Sequence, residues 1–318
     1  MIQNPTAGFG RAGDVSVALG RALRAAGVEV VDLSAGRMAL ALDAAREALR
    51  HGLDALAVIG GDGMVHLGAQ AVAGSATPLM ILPAGTGNDF AAAAGIGDIG
   101  KAPCSAAVTE LLSSPPRRVD LLRVRGEGIC IDGGDVRWVA GAVSAGLDAA
   151  VNARANAMRF PRGARRYAVA AIAEIATYRA WSYRVRLEDA VLATGPGLPG
   201  LERTAAGATW VGDAALVTLA NSPQIGGGIP VAPGASLTDG RMDVVIAGDV
   251  GRAGAARLFP RLLRGAHVHA PDVMVLRSAR VRLESAGGRS VALYGDGEFL
   301  GAPPVDVEVV PGALRVLA

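Results

Sequence analysis

The sequence is poor in three kinds of residue, and each scarcity excludes a class of site. Lys101 is the only lysine among 31 basic residues, so the chain has no phosphate-binding loop of the Gly-Lys-Ser/Thr type. Any phosphate must therefore be bound by backbone amides, arginine and metal. Aromatic residues make up only 4 %, which leaves alanine and glycine to fill the core. Cys104 and Cys130 are too few for a disulfide framework and favour a reducing compartment.

Long apolar runs and an excess of one charge are also missing. The longest uncharged stretch, residues 64–88, contains His66, Gln70 and two prolines, so we predict no transmembrane helix. The first eight residues lack the basic and apolar regions of a signal peptide, and we expect the protein in the cytoplasm. The net charge of +2 argues against a general attraction to nucleic acid.

The first third of the chain alternates between two hydrophobic patterns. Short apolar runs, typical of buried strands, alternate with runs of helical periodicity, and this order predicts a parallel, doubly wound sheet. We predict strands at 28–33, 55–59 and 79–82, helices at 37–50 and 65–72, and a short helix after Asp89.

After about residue 122 the pattern changes to strict alternation. Residues 183–187, 281–284 and 305–309 alternate apolar and charged side chains, which predicts half-buried, mostly antiparallel strands. One helical island is expected at 164–178, and 195–200 reads as a loop. The pattern therefore predicts the fold class α/β followed by β, with an α/β domain up to about residue 122 and a β-rich domain after it.

Three glycine-rich turns carry the first functional signal. They are Asn4-Pro5-Thr6-Ala7-Gly8, Gly60-Gly61-Asp62-Gly63 and Gly85-Thr86-Gly87-Asn88-Asp89. The last two follow predicted strands and precede helices, so they should line one crevice at the carboxyl edge of the sheet. Glycine lets backbone N–H groups approach an anion, and helix N-termini favour negative charge. Any one turn alone would also suit a plain strand–helix connection, but the three together favour phosphate binding.

These motifs resemble the diacylglycerol kinase and sphingosine kinase family along the whole chain. The resemblance continues through Asp120, the blocks 146–149 and 163–167, Asn221, the glycines 226–228, the runs 231–233 and 237–240, and the final Gly-Asp-Gly-Glu at 295–298. It implies a two-domain ATP-dependent kinase of the NAD kinase-like fold that phosphorylates a lipid hydroxyl, with nucleotide and acceptor in the cleft between the domains. The implied domains are an α/β nucleotide-binding domain over residues 1–122, to which a tail over about 305–318 could return, and a β-sandwich over 123–304.

The resemblance also implies roles for particular residues. The positions expected to contact ATP are Asn4, Pro5, Thr6, Ala7, Gly8, Ser34, Gly60, Gly61, Asp62, Gly63, Met64, Gly85, Thr86, Gly87, Asn88, Asp89 and Asp120.

The acidic residues receive the chemical roles. Asp62 is expected to help hold the Mg²⁺ that bridges the ATP phosphates, and Glu298 to act as the general base. Ser236, Asp239 and Arg241 are expected to bind a structural Mg²⁺, partly through backbone carbonyls. Phosphoryl transfer needs charge neutralisation, in-line positioning and a proton acceptor, and carboxylates are suitable ligands for Mg²⁺.

Simpler interpretations of the same residues stay open. Asp62 would also suit a helix N-cap, Glu298 an exposed hairpin position and Asp239 a plain turn. Two departures from the family pattern, Met64 and Leu67, remove polar groups beside the nucleotide.

An arginine-rich segment spans residues 154–186. It holds eight arginines and one glutamate, interleaved with apolar residues. Such a segment could lie peripherally on an anionic membrane, here the inner face, or it could be a helix packed on the sheet with a solvated arginine face.

Two other functions remain as alternatives. One is a NAD kinase-like kinase of a small molecule, and the other is a non-catalytic lipid- or nucleotide-binding protein, motivated by Met64 and Leu67. The sequence does not name the lipid, with diacylglycerol, a sphingoid base and ceramide all open, and it leaves open whether the protein is a homodimer.

Overall fold

The computed structural model describes residues 1–4, 11–97, 108, 112–129, 136–158, 160 and 164–317. In chain order the first elements are β1 (Ile2–Gln3), α1 (Arg11–Ala25), α2 (Met38–Arg50), β2 (Leu56–Gly60), α3 (Asp62–Val72), β3 (Leu79–Pro83), α4 (Asp89–Ala93), β4 (Arg117–Arg125), β5 (Arg137–Val139) and β6 (Ala142–Gly146). They are followed by α5 (Leu147–Ala157), α6 (Ala164–Ala176), β7 (Trp181–Glu188), β8 (Val191–Thr194), β9 (Leu201–Thr204), β10 (Gly207–Ala220), β11 (Met242–Gly248), α7 (Gly251–Leu262), a 3₁₀ turn (Ala266–His269), β12 (Val273–Ser278), β13 (Arg280–Ser285), β14 (Leu293–Gly295), β15 (Glu298–Gly301) and β16 (Val305–Leu317).

The chain forms two compact units. The first comprises Met1–Leu121 and Pro311–Ala318, and the second comprises Leu122–Val310.

The first unit is built on a parallel sheet. β1 pairs with β2, β2 with β3, and the end of β16 with β3, all in parallel, so the returning tail supplies a strand of this sheet. Every residue of β2 is buried, as expected for a strand covered on both faces. α3 packs very close to the sheet at Gly68: a Cβ at this position would lie 2.5 Å from the Leu79 side chain, so glycine permits the close approach.

The second unit is built from antiparallel strands, and β10 links its two halves. The first half of β10 pairs with β7 and β9, while the second half pairs with β6 and β11. Its pairing with β11 shifts register between Ala214 and Leu216, which is where the strand passes from one set of partners to the other. Trp210 and Tyr183 are fully buried in the core of this unit.

The structure corrects three expectations about secondary structure. Residues 28–33 are not a strand: Met1 N bonds the Val31 carbonyl and Leu33 N bonds the Met1 carbonyl, but these two bonds do not form a ladder. The helix placed at 65–72 begins three residues earlier, at Asp62. The helix at 164–178 exists as α6, but α5 and α7 also lie in the second unit, so a single helical island was wrong. Their alanine and glycine content made them resemble loops.

Among the described residues, no helix is long and apolar enough to cross a membrane.

Candidate active site

The glycine turns after β2 and β3 lie against each other. A Cβ on Gly85 would fall 2.4 Å from the Gly61 Cα, so the two backbones meet at a distance that no side chain permits. A hydrogen bond also joins the two turns, since the carbonyl of Gly60, with φ +154, accepts the Ala84 N–H at 2.9 Å. The crevice predicted from the parallel strands therefore has both turns at one edge of the sheet.

Asn88 fixes the shape of the second turn. It adopts the left-handed conformation, φ 59, and its side chain closes a ring with Gly85: Gly85 N–H donates to Oδ1 at 3.0 Å and Nδ2 donates to the Gly85 carbonyl at 3.2 Å. Asparagine tolerates this backbone conformation better than most residues. Thr86, inside the ring, is exposed, while Asp89 after it is buried.

Asp62 is the first residue of α3, directly after the Gly61 N-cap. Its Oδ1 accepts the Phe90 N–H at 3.1 Å, which ties the start of α3 to the start of α4. Backbone N–H groups at the start of an α-helix attract anions. The Gly63 Cβ position is open, so no side chain shields the backbone there.

Of the other residues predicted to contact ATP, Asn4 and Ser34 lie at the end of β1 and Met64 lies beside Gly60. Asn4 follows β1 and its N–H donates to the Ile59 carbonyl, and the Ser34 hydroxyl accepts the Gln3 N–H at 3.1 Å, so both lie at the end of β1. Met64 is buried, with its Cγ near Gly60. The positions 5–8 lie outside the described residues.

Asp120 makes a bond that sequence reasoning did not anticipate. It is buried on β4, and its Oδ1 accepts the Gly312 N–H at 2.8 Å. Asp120 thus holds the returning tail in the first unit, and its predicted contact with the nucleotide stays a prediction.

Glu298 is exposed at the start of β15, on a hairpin that several long-range hydrogen bonds hold in place. Both turn residues have positive φ, 52 for Asp296 and 86 for Gly297. The Asp296 carboxylate accepts two backbone N–H groups, from Gly141 at 2.7 Å and from Ala140 at 2.9 Å. A carboxylate bound by two amides is a strong, directional anchor.

Further side chains extend this anchor. Asn221 Nδ2 donates to the Ala140 carbonyl at 2.8 Å, while Asn221 N–H donates to the Gly141 carbonyl, so one residue fixes the loop that Asp296 binds. Asn156, on α5, donates to the Gly297 carbonyl at 2.9 Å. Sequence reasoning noticed Asn221 and the Asp-Gly pair but not this network, and it missed Asn156 because nothing in the sequence links it to a turn 141 residues away.

A second carboxyl group, Asp148, lies beside this hairpin's strand. Ser144 on β6 donates to Asp148 Oδ2 at 2.5 Å, and Ser144 is paired with Tyr294 of β14. Burial raises the pKa of Asp148 above its usual value, and the hydrogen bond from Ser144 opposes the shift. The sequence motif at 146–149 was noticed, but the motif alone gave Asp148 no role.

The predicted structural metal set has a competitor within the protein. Asp239 Oδ1 accepts the Arg241 N–H at 3.0 Å, and Oδ2 forms an ion pair with Arg277. The same guanidinium bonds the buried Asp243 at 2.9 Å, and the Ser236 hydroxyl bonds the neighbouring Thr238 side chain and backbone. With Arg277 here, both Asp239 oxygens are occupied and the arrangement does not suit a divalent cation. No role is derived for a metal at this loop, and the set stays a prediction.

The magnesium expected with ATP asks less of the protein. Among the described residues, no three His, Cys, Asp or Glu side chains are grouped to hold a metal ion. Mg²⁺ in kinases, however, is typically held by one or two carboxylates together with phosphate oxygens and water. The oriented Asp62 carboxylate at the N-terminus of α3 fits that requirement.

Two family models together span most of the chain. The diacylglycerol kinase catalytic domain matches residues 1–124, and the YegS C-terminal NAD kinase beta sandwich-like domain matches residues 141–318. The predicted fold class, an α/β nucleotide-binding domain followed by a β-sandwich of the NAD kinase type, is confirmed by these matches and by the structural likeness below.

Similar proteins include two curated relatives and one solved structure. A Mycobacterium tuberculosis protein named diacylglycerol kinase is 34 % identical over 316 residues, which is 99 % of this chain and 93 % of the relative. A Stenotrophomonas maltophilia protein named probable lipid kinase YegS-like is 29 % identical over 277 residues, 85 % of this chain and 80 % of the relative. A Bacillus anthracis structure described as a putative diacylglycerol kinase aligns with TM-score 0.71 at 19 % identity, covering 99 % of this chain and 95 % of that one, a likeness that shows the fold.

Proposed function

Since the chain belongs to the diacylglycerol kinase family and is a lipid kinase, we propose that it transfers the γ-phosphate of ATP to the free hydroxyl of diacylglycerol. The observation that carries the proposal is the backbone contact between Gly61 and Gly85, which brings two strand–helix turns together at the N-terminus of α3. Because the chain has no lysine-containing phosphate-binding loop, such a surface of backbone amides would take a main share in binding the triphosphate, together with metal and arginine. The name of the Mycobacterium tuberculosis relative favours diacylglycerol as the first acceptor to test.

The ATP phosphates would lie against the turns at Gly61 and Gly85, with N–H groups of the first turn of α3 directed at them. Asp62 would hold the Mg²⁺ that accompanies ATP, which supplies positive charge to the phosphate oxygens. The bond from Phe90 N–H orients this carboxylate without neutralising it. Met64 packs against Gly60 and would present a thioether, not a hydroxyl, beside the nucleotide.

Glu298 would act as the general base. As the acceptor oxygen bonds to the γ-phosphorus, the bond from that phosphorus to the β,γ-bridging oxygen breaks, the hydroxyl proton passes to Glu298, and ADP leaves with the electron pair. The anchoring of Asp296 on Ala140 and Gly141 would give the carboxylate a fixed position. A fixed base is more effective because orientation need not be found in each turnover.

Peripheral contact with an anionic bilayer would bring the lipid to the enzyme, and α6 offers a surface for it. Its exposed face is apolar, with Val169 46 % and Ile172 65 % exposed, and Phe160 nearby in sequence is 84 % exposed. The surrounding segment, residues 154–186, carries eight arginines and one glutamate. Apolar side chains bordered by positive charge suit the surface of an anionic membrane.

The test is a transfer assay with labelled ATP and a panel of acceptors. Diacylglycerol, sphingosine and ceramide would be presented in mixed micelles, with NAD as a soluble acceptor, and the products separated. We expect label in the product of diacylglycerol. Label in NAD alone would replace the proposal by the NAD kinase alternative, and label in sphingosine or ceramide alone would keep the lipid kinase and reject the acceptor.

A further inference from the structure

A cavity of about 520 Å³ opens on the second unit, and none of its lining residues belongs to the glycine turns or to the hairpin of Glu298. It lies on the outer face of neighbouring strands, where β16 pairs with β13, β13 with β7 and β7 with β10. In β7 the buried and exposed side chains alternate strictly, so one face is apolar core and the other is polar. The volume is in the range of ordinary ligand pockets.

The polar face of this cavity has an excess of positive charge. Its charged lining consists of five arginines against three acids, namely Arg123, Arg125, Arg186, Arg280 and Arg282 against Glu188, Asp306 and Glu308. Glu284, which lies outside the cavity lining, also pairs with Arg186 and Arg282, so four acids face these five arginines and one positive charge is left over.

Like charges stand opposite each other across the strands. Arg186 of β7 is the direct cross-strand partner of Arg282 of β13, an arrangement that is unfavourable between two cations. Glu284, two residues along β13, lies 3.4 Å from Arg186 and 3.1 Å from Arg282, and Asp306 pairs with Arg282 at 2.8 Å. The fold thus keeps two guanidinium groups side by side, and these two acids offset their repulsion.

The other side of the cavity shows the same crowding. Desolvation lowers the pKa of Arg123, and the charges of Arg125 and Arg280 lower it further. Arg123 forms a close ion pair with Glu308, whereas Arg280 reaches its acids only at 3.4 Å from Glu188 and 3.5 Å from Glu308, the long end for an ion pair.

Arg125 is the least neutralised member. It is exposed at the end of β4, and within the described part of the chain it has no acid partner. Guanidinium groups bind phosphate oxygens through paired N–H donors, and several around one cavity suit a multiply charged anion.

We propose that this cavity binds a phosphate group, carried by a small molecule or by a lipid headgroup, through Arg125 and Arg280, with Arg123 beside them in its ion pair with Glu308. The cavity is several times larger than a phosphate ion, so it can hold the phosphorylated end of a larger ligand. This site uses different residues and different chemistry from the glycine turns: it offers guanidinium groups, whereas the turns offer backbone amides and a carboxylate.

The experiment compares full-length variants by thermal unfolding and titration calorimetry. The probe is inorganic phosphate, with potassium chloride at matched ionic strength as the reference, because a ligand of the folded state raises the unfolding temperature. Arg125→Gln removes the exposed guanidinium without breaking an ion pair, and Arg280→Gln is the second variant. Arg257→Gln is the control, since Arg257 is an exposed arginine of α7 whose side chain bonds only the Ala253 carbonyl.

We expect phosphate to stabilise the wild type and Arg257→Gln equally, and its affinity to fall about tenfold in Arg125→Gln and Arg280→Gln. Phosphate bound at the glycine turns contributes equally to all four proteins and cancels in the comparison. A second arm uses glycerol 3-phosphate and vesicles containing a lipid phosphomonoester: a difference between variants in either one supports the site and identifies its source. Equal phosphate binding by Arg125→Gln, Arg280→Gln and the wild type in every arm would overturn the proposal and leave a self-neutralised ion-pair surface.

Discussion

The anchor beneath Glu298 makes a quantitative prediction. In Asp296→Ala, the N–H groups of Ala140 and Gly141 lose the carboxylate that accepts them at 2.9 and 2.7 Å. A hydrogen bond to a charged group contributes about 1.5–3 kcal/mol, and Asp296 is only half-buried, so we expect the free energy of unfolding to fall by about 2–4 kcal/mol.

The same change should act on catalysis through Glu298. Without the carboxylate, the strained turn at Asp296 and Gly297 loses the contact that selects its shape, and Glu298 is no longer held in place. We expect kcat to fall about 10- to 100-fold with the KM for ATP little changed, since the glycine turns are untouched. Asp296→Asn, which keeps one acceptor oxygen, should lie between the wild type and Asp296→Ala.

Urea unfolding and steady-state kinetics on the same preparations measure both effects. Asp272→Ala is the matched control, because Asp272 is an exposed acid of the same unit. If Asp296→Ala unfolds like Asp272→Ala and turns over at the wild-type rate, the hairpin does not depend on this anchor and the reasoning is refuted.

Three further predictions test other parts of the account. EDTA should leave the unfolding temperature unchanged, whereas Arg277→Gln should lower the free energy of unfolding by about 3 kcal/mol because it leaves the buried Asp243 unpaired. A lower unfolding temperature in EDTA would show that a cation, not Arg277, neutralises Asp239 and Asp243. Burial raises the pKa of Asp148 above its unfolded value of 3.8, so the protonated carboxyl stabilises the fold at low pH and this stability is lost as pH rises through the folded pKa. Asp148→Asn should therefore raise the unfolding temperature at pH 7 and raise it less at pH 4. Equal shifts at both pH values would contradict the raised pKa of Asp148. Ile172→Glu should weaken sedimentation with anionic vesicles, while Val191→Glu at an exposed apolar site on β8 should not. Equal loss in both variants would reject α6 as the membrane surface.

The crevice in the first unit was predictable because it depends on local rules. Strands followed by glycine turns at 60–63 and 85–89 must end at the same edge of a parallel sheet, and Gly61 and Gly85 do meet there. The failure at residues 28–33 has the opposite cause. The run at 28–33 has the composition of a strand but makes only scattered bonds, among them two with Met1, and composition does not reveal whether a neighbouring strand is available.

The residues that fix Glu298 could not be predicted for a similar reason. Asp296 reaches Gly141 across 155 residues, and Asn156 reaches Gly297 across 141, so neither bond has a signal in local spacing. Arg277 likewise meets Asp239 only because β12 pairs with β11 beside that loop. Long-range side-chain partners depend on the fold, whereas glycine turns can be recognised directly in the sequence.

Phosphoryl transfer by an Asp62→Asn variant tests the central claim most directly. The assay measures label passing from ATP to diacylglycerol, with thermal unfolding as the check on folding. Because Asp62 is assigned the metal that neutralises the phosphates, the account predicts that the wild type labels the lipid and that Asp62→Asn loses transfer by at least about 100-fold with a near-normal unfolding temperature. Wild-type turnover by a folded Asp62→Asn protein would contradict it.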